Sequence, residues 1–96
     1  MCSEHKEYRS KTHIYADILN SIMKHGGRSG PTRILYGANL PYDRLMKHLN
    51  KLIELGLVTE EKENNETVYK LTDKGRAFVL EFVKVEKFAE AFGIAI

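Results

Sequence analysis

Three cations lie at helical spacing on one side of segment 42–54, where they can meet a polyanion. Counting about 100° per residue from Leu45 places Lys47, Lys51 and Arg44 at about 200°, 240° and 260° around the helix, opposite an apolar stripe. Ammonium and guanidinium groups bind phosphate oxygens and base edges. We therefore predict a DNA-reading face, with Arg44 and Lys47 toward bases and Lys51 toward phosphate.

Further candidate contacts flank this segment. They are Thr32, Arg33, Tyr42, His48, Lys62, Asn64 and Asn65. First-turn residues such as Thr32 and Arg33 reach phosphates or only cap a helix, and both roles stay open. Half-buried packing is favoured over DNA contact for Tyr42 and His48. Four glutamates surround Lys62, so we expect a small contribution from the hairpin that carries it.

A helix-turn-helix must position these residues. Pro31 suits the first position of a short helix. In the turn that follows, Gly37 and Asn39 tolerate a left-handed backbone, and Leu40 can fill the angle before the longer helix. A strand begins at residue 57, KENN supplies a polar hairpin tip, and residues 67–71 return as the second strand. A hairpin directly after such a helix is predicted to form a wing.

An earlier helix should cover the core. It is predicted from Thr12, capped by Ser10 or Thr12, with Ile14, Ile18 and Ile22 in its apolar stripe. It is expected to end at Gly26-Gly27, and residues 26–30 are predicted to form a loop. This loop lacks the Lys-Ser/Thr ending of a phosphate-binding loop, so a simple connector is favoured. No second ligand accompanies any histidine at metal spacing, so we predict no metal site.

The last helix is apolar over more than one face. Thr72 is predicted to cap it, and apolar residues follow at alternating spacings of four and three, as in a coiled-coil seam. A helix that serves only its own domain needs one stripe. We therefore predict a homodimer interface made by Phe78, Phe82, Val85, Phe88, Ala89 and Phe92.

Charge divides the chain into two halves. Residues 1–53 contain nine Lys or Arg and four Asp or Glu, a formal charge of +5, whereas residues 54–96 contain six and nine, a formal charge of −3. The cations thus accumulate in the half that holds the reading face, which favours nucleic acid as a partner, although a solvated charged surface is the alternative.

Composition limits the other possibilities. The 96 residues are 43% hydrophobic, enough for one modest core, and the single cysteine, Cys2, cannot form an intrachain disulfide. No apolar run approaches a membrane span, and the first twelve residues lack the apolar centre of a signal peptide. We expect no membrane partner, no cofactor and a cytoplasmic, nucleoid-associated location. The scattered histidines and carboxylates provide no nucleophile with a base, so we expect no enzyme.

The quoted residues also carry a family resemblance. The segment TRILYGANLPYDRLMKHLNKLIELGLV, followed by a short hairpin and YKLTDKGRAF, resembles the archaeal winged helix-turn-helix family that includes small chromatin-associated DNA-binding proteins. The similarity extends over about residues 12–92. It implies double-stranded DNA binding through the helix that carries the three cations, and antiparallel pairing of the C-terminal helix with that of a second subunit.

The expected architecture is therefore α+β and mostly α. A flexible basic arm (1–11) precedes a winged helix-turn-helix domain (12–71) and a C-terminal dimerisation helix with its tail (72–96). The expected function is double-stranded DNA binding as a homodimer, in transcriptional regulation or in chromatin. The alternative is a winged-helix module that binds protein, with the apolar last helix and the acidic wing as its surfaces.

Overall fold

A computed structural model describes residues 10–94, so the predictions for most of the basic arm and for the last two residues lie outside the described residues. The elements are α1 (Lys11–Lys24), β1 (Arg28–Ser29), α2 (Pro31–Ala38), α3 (Tyr42–Glu54), β2 (Val58–Glu63), β3 (Glu66–Leu71) and α4 (Asp73–Ala91). This confirms the predicted α+β fold, mostly α, with a hairpin after the third helix and a long final helix.

The core lies where α1, α2 and α3 meet the sheet. Its fully buried side chains on the helices come at the helical spacings that the sequence shows: Ile18, Leu19, Ile22, Ile34, Leu45, Leu49 and Leu52. Val58 of β2 is fully buried with them. Each buried aliphatic side chain stabilises the fold by about 1.5–3 kcal/mol relative to exposure. Ser10 caps α1, its hydroxyl accepting a hydrogen bond from the backbone N–H of His13, as predicted.

The turn between α2 and α3 depends on one left-handed residue. Asn39 has φ +57° and ends α2, whereas Gly37 lies within α2 and has no positive φ. Gly37 was predicted to supply backbone freedom, and that interpretation is wrong. A Cβ at Gly37 would overlap the Ser21 hydroxyl of α1, so this glycine allows close packing of α2 on α1.

The sheet has three strands, not two. β1 pairs antiparallel with β3, joining Arg28 to Lys70 and Ser29 to Tyr69, and the strand order is β1-β3-β2. The prediction that residues 26–30 form only a loop is therefore wrong. The edge pairing is continued by a hydrogen bond of 2.9 Å from the Leu71 N–H to the Gly27 carbonyl.

The last helix joins two parts of the fold. Thr72 caps α4 as predicted, accepting a hydrogen bond from the Gly75 N–H at 3.0 Å. Farther along, Phe82 packs on α1, where its ring meets the His13 ring at 5.6 Å between centroids. None of the helices in residues 10–94 has the length and apolar character that spanning a membrane requires.

Candidate nucleic-acid interface

The outer face of α3 presents the three predicted cations to solvent. Arg44 and Lys47 are exposed, and neither forms an ion pair with a described residue. Lys51 pairs with Glu54 at 3.3 Å between Nζ and Oε1, a surface contact that is weak enough to exchange for a phosphate. Because α3 is held by its buried leucines, this face has a fixed orientation relative to the rest of the domain.

Carboxylates border the same face at both ends of α3. Asp43 lies in the first turn, where it interacts favourably with the positive end of the helix dipole. Glu54 occupies the last turn beside Lys51. The unpaired cations of this face, Arg44 in the first turn and Lys47 one turn later, therefore lie between these two carboxylates.

The start of α2 offers a second set of contacts. Pro31 occupies the first position as predicted, and Thr32 and Arg33 are both exposed. The cap residue, Gly30, has no side chain with which to accept from the first backbone N–H groups. The Ser21 hydroxyl donates to the Arg33 carbonyl at 3.5 Å, which ties the backbone of this turn to α1 and leaves the guanidinium outside.

Aromatic side chains near the turn differ in their exposure. Tyr42, for which packing was favoured, is 55% exposed at the start of α3. His48 is half-buried, and its ring meets that of Tyr15 edge-on at 5.5 Å, which directs it toward α1. Tyr36 is 77% exposed and was missed as a candidate. The helical spacing of Ile34 and Ala38, which are buried, indicates that Tyr36 is exposed, because it places Tyr36 on the opposite side of α2.

The hairpin tip is a tight two-residue turn. Asn64 and Asn65 have φ +52° and +67°, a left-handed pair that matches the twist of the flanking strands. Their side chains are exposed, as is that of Lys62. The three predicted contacts of the wing are therefore available to a partner.

The carboxylates of the wing are divided between the two faces of the sheet. Lys70 Nζ lies 2.9 Å from Glu61 and 3.8 Å from Glu63, and Arg28 also pairs with Glu63. Side chains alternate along a strand, so Glu60 and Lys62 project from the opposite face. Counting glutamates in sequence thus overstates the negative charge on either face.

Tyr69 lies between the wing and α3. It is buried, and its hydroxyl contacts Met46 Sδ of α3 at 4.0 Å. Burial raises the pKa of the Tyr69 hydroxyl above its ordinary value of 10.0, and the Glu60 carboxylate and the Tyr42 hydroxyl raise this pKa further. The phenol is therefore neutral at physiological pH and acts as a packing group between α3 and β3.

Two of the six residues predicted to form a dimer interface are covered within the chain. Phe82 and Ala89 are each 8% exposed, and the Phe82 ring meets that of His13 on α1. Val85, Phe88 and Phe92 are exposed, and Phe78 is partly buried. A groove of about 360 Å³ adjoins them, lined by Ser10, Thr12, Phe78, Glu81, Phe82 and Val85.

The side chain of His13, on α1, lies next to α4 and beside two carboxylates. Its Nε2 is 3.7 Å from Asp17 Oδ1 and 3.9 Å from Glu86 Oε2, which are distances of loose ion pairs when the imidazole is protonated. Residues 10–94 contain no group of three or more His, Cys, Asp or Glu side chains placed to hold a metal ion.

Comparison with known proteins places this geometry in a family. No curated protein matches the sequence. The fold resembles the crystal structure of Sso10a-2, a DNA-binding protein from Sulfolobus solfataricus, with a TM-score of 0.74 and 29% identity over 86% of this chain and 87% of that one.

Two bacterial proteins share the fold at lower identity. One is BpsR of Bordetella bronchiseptica, whose DNA binding is regulated by 6-hydroxynicotinic acid, with a TM-score of 0.70 and 18% identity over 83% of this chain and 64% of that one. The other is a mutant of MarR from E. coli in complex with operator DNA, with a TM-score of 0.62 and 21% identity over 70% of this chain and 49% of that one. A family model for the winged helix-turn-helix matches residues 8–90, and the chain belongs to this family.

Proposed function

We propose that this protein binds double-stranded DNA, with α3 in the major groove, as a transcriptional regulator or a chromatin-associated protein. The observation that carries the proposal is the exposed face of α3, where Arg44 and Lys47 form no ion pair with a described residue. A helix of this diameter fits the major groove, and both side chains can reach base edges or phosphates there. The similarity to Sso10a-2, a DNA-binding protein, supports the same role.

The flanking contacts belong to the same proposal. Thr32 and Arg33 of α2 would touch the phosphate backbone beside the groove, and Lys62, Asn64 and Asn65 of the wing would lie along the duplex. Tyr42 joins this set because its ring is exposed at the start of α3. His48 would have a smaller part, since its ring packs on Tyr15.

A salt titration with matched variants tests the proposal. Wild-type protein should bind a random-sequence duplex with an affinity that falls steeply as salt rises. Replacing Arg44 and Lys47 with alanine should weaken binding by about 2 kcal/mol, roughly one per lost contact, without loss of folding. The control replaces Lys84 and Lys87 with alanine. This variant loses the same two positive charges, but from α4 and not from the reading helix.

Two results would contradict the proposal. Equal affinities of the two double variants would exclude α3 from the interface. Absence of salt-dependent binding by the wild type would favour the alternative, a winged-helix module that binds protein.

The dimer is the second part of the proposal. Val85, Phe88 and Phe92 expose apolar surface on one side of α4, and the rings of Phe88 and Phe92 lie 5.1 Å apart. A second copy that packs on this stripe, together with Phe78 and the adjoining groove, would cover it. The proposed interface therefore omits Phe82 and Ala89, which are already buried within one chain.

Pairing through α4 would place two reading helices on one duplex. The proposed function also places the chain in the cytoplasm, at the nucleoid, and gives it no catalytic role. Two-fold symmetry would give a paired footprint, with a half-site spacing fixed by α4.

A further inference from the structure

The register of the wing places Glu60 on the same side of the sheet as α3. Glu60 pairs with Tyr69 across β2 and β3, and paired residues project from the same face. Tyr69 points into the core and contacts Met46 of α3 through its hydroxyl. The exposed carboxylate of Glu60 therefore stands next to the reading helix, on the side of the wing that a duplex bound to α3 would approach.

The neighbouring glutamates have a different environment. Glu61 and Glu63 project from the opposite face, where Lys70 and Arg28 pair with them. No ion pair joins Glu60 to a cation among residues 10–94. The next residue on its own face toward the tip is Lys62, which is exposed. Glu60 is thus a carboxylate without an ion pair among the described residues, and it lies beside the helix face that carries Arg44 and Lys47.

An ionised carboxylate accepts hydrogen bonds but donates none, so it cannot bind a phosphate oxygen. Two like charges about 4 Å apart repel each other by about 1 kcal/mol even in water. This repulsion acts on every duplex, whatever its sequence. The only base groups that a carboxylate accepts from are the exocyclic amino groups, such as N4 of cytosine in the major groove.

We infer that Glu60 is a negative determinant of affinity in the DNA interface, whose carboxylate weakens binding to any duplex by repelling the phosphate backbone beside α3. The inference rests on the proposed DNA binding and adds a role that opposes it. Its consequence is that the wing lowers the affinity for the phosphate backbone, while α3 supplies the attraction.

The test compares Glu60→Gln with Glu61→Gln, because the two variants remove the same charge from adjacent residues on opposite faces. Fluorescence anisotropy with a random-sequence duplex would be measured at low and at high salt, after thermal unfolding has shown that both variants fold. Glu60→Gln should bind about fivefold more tightly than wild type at low salt, and the gain should shrink at high salt. Glu61→Gln should stay within about twofold of wild type, because its side chain lies on the opposite face of the sheet from Glu60 and α3.

Equal affinities of Glu60→Gln and Glu61→Gln, or weaker binding by Glu60→Gln, would overturn the inference while leaving DNA binding intact. Absence of salt-dependent binding by all three proteins would instead overturn the proposed function, and this inference with it.

Discussion

Among single residues, Tyr69 shows how a buried polar group ties the wing to the reading helix. Its ring is 2% exposed, and its hydroxyl has Met46 Sδ as a neighbour at 4.0 Å. The pKa of this hydroxyl is raised first by burial and then by the Glu60 carboxylate and the Tyr42 hydroxyl, all of which disfavour the phenolate. Folding and ionisation of Tyr69 therefore oppose each other.

The raised pKa predicts an alkaline loss of stability. Because the folded-state pKa lies above the unfolded value, the stability that neutral Tyr69 contributes is fully present below about pH 10 and is lost as the pH rises through the folded pKa. Tyr69→Phe cannot ionise. The unfolding free energy of wild type minus that of Tyr69→Phe should be constant from about pH 7 to 9 and should fall above pH 10, measured by urea unfolding. A constant difference up to pH 11 would show that folding leaves this hydroxyl free to ionise.

The charge of the wing also depends on single residues. A count of its glutamates along the sequence predicts a uniformly acidic hairpin, but alternation assigns Glu61 and Glu63 to Arg28 and Lys70 on one face. Lys62 and Glu60 remain on the other face, next to α3. Among residues 10–94, the hairpin therefore has one side on which Glu61 and Glu63 are paired with cations but Glu66 is not, and one side with mixed, unpaired charges.

Among the elements, the link between α3 and α4 fixes the reading helix. The Thr72 hydroxyl donates to the Gly56 carbonyl at 2.7 Å, and Lys74 Nζ donates to the Leu55 carbonyl at 2.8 Å. These contacts satisfy carbonyl groups that the end of α3 would otherwise leave unpaired. The start of α4 therefore holds the end of α3.

Gly75 permits this close approach. An added Cβ would overlap the Leu57 carbonyl oxygen and would lie 2.9 Å from Leu71 Cδ1. Gly75→Ala should lower the unfolding free energy by about 2 kcal/mol, although alanine is the better helix former by about 1 kcal/mol. Urea denaturation of the variant measures the change.

Gly37→Ala is the matched control, since it is also a glycine within a helix. The three atoms nearest to its added Cβ all belong to Ser21, and the closest of them, the hydroxyl oxygen, can rotate away. The loss at Gly37 should be less than half of the loss at Gly75. A Gly75→Ala variant as stable as wild type would mean that α4 is not held against the Leu57 backbone.

For the molecule as a whole, the main consequence of the fold is that α4 carries apolar residues on two sides. One side packs on α1 through Val79 and Phe82. The other side exposes Val85, Phe88 and Phe92, and a helix of 19 residues extends about 28 Å. Within residues 10–94, no further element covers this second side.

The exposed stripe predicts a dimer in solution. Sedimentation at micromolar concentration should give twice the chain mass of 11.0 kDa. Phe88→Asp with Phe92→Asp should give a folded monomer, because both rings are 68% exposed within one chain and each contributes about 1.5–3 kcal/mol when fully buried.

Leu80→Asp provides the control for added charge on α4. Leu80 is exposed but displaced by about 80° to 120° around the helix from Phe88 and Phe92, so this variant should remain dimeric. A wild-type protein that sediments as a monomer would contradict the proposed interface.

Local sequence is sufficient to predict the helices, the hairpin and most of the core. Apolar residues at helical spacing predict α1, α3 and α4, and Ser10 and Thr72 cap helices as expected because a hydroxyl there accepts from a backbone N–H close by in the chain. The hairpin follows from the polar tip between two strand-forming runs. Each of these features depends on neighbours within a few residues, so spacing along the chain specifies it.

Which surfaces meet is a property of the folded chain alone. β1 is two residues long and forms because Arg28 and Ser29 meet Lys70 and Tyr69, about forty positions away, for which the sequence offers no local signal. In the same way, α4 has apolar residues on more than one face, and packing within the folded chain buries Phe82 and Ala89 while it leaves Phe88 and Phe92 exposed. Such choices depend on contacts between distant segments, which periodicity within one segment does not specify.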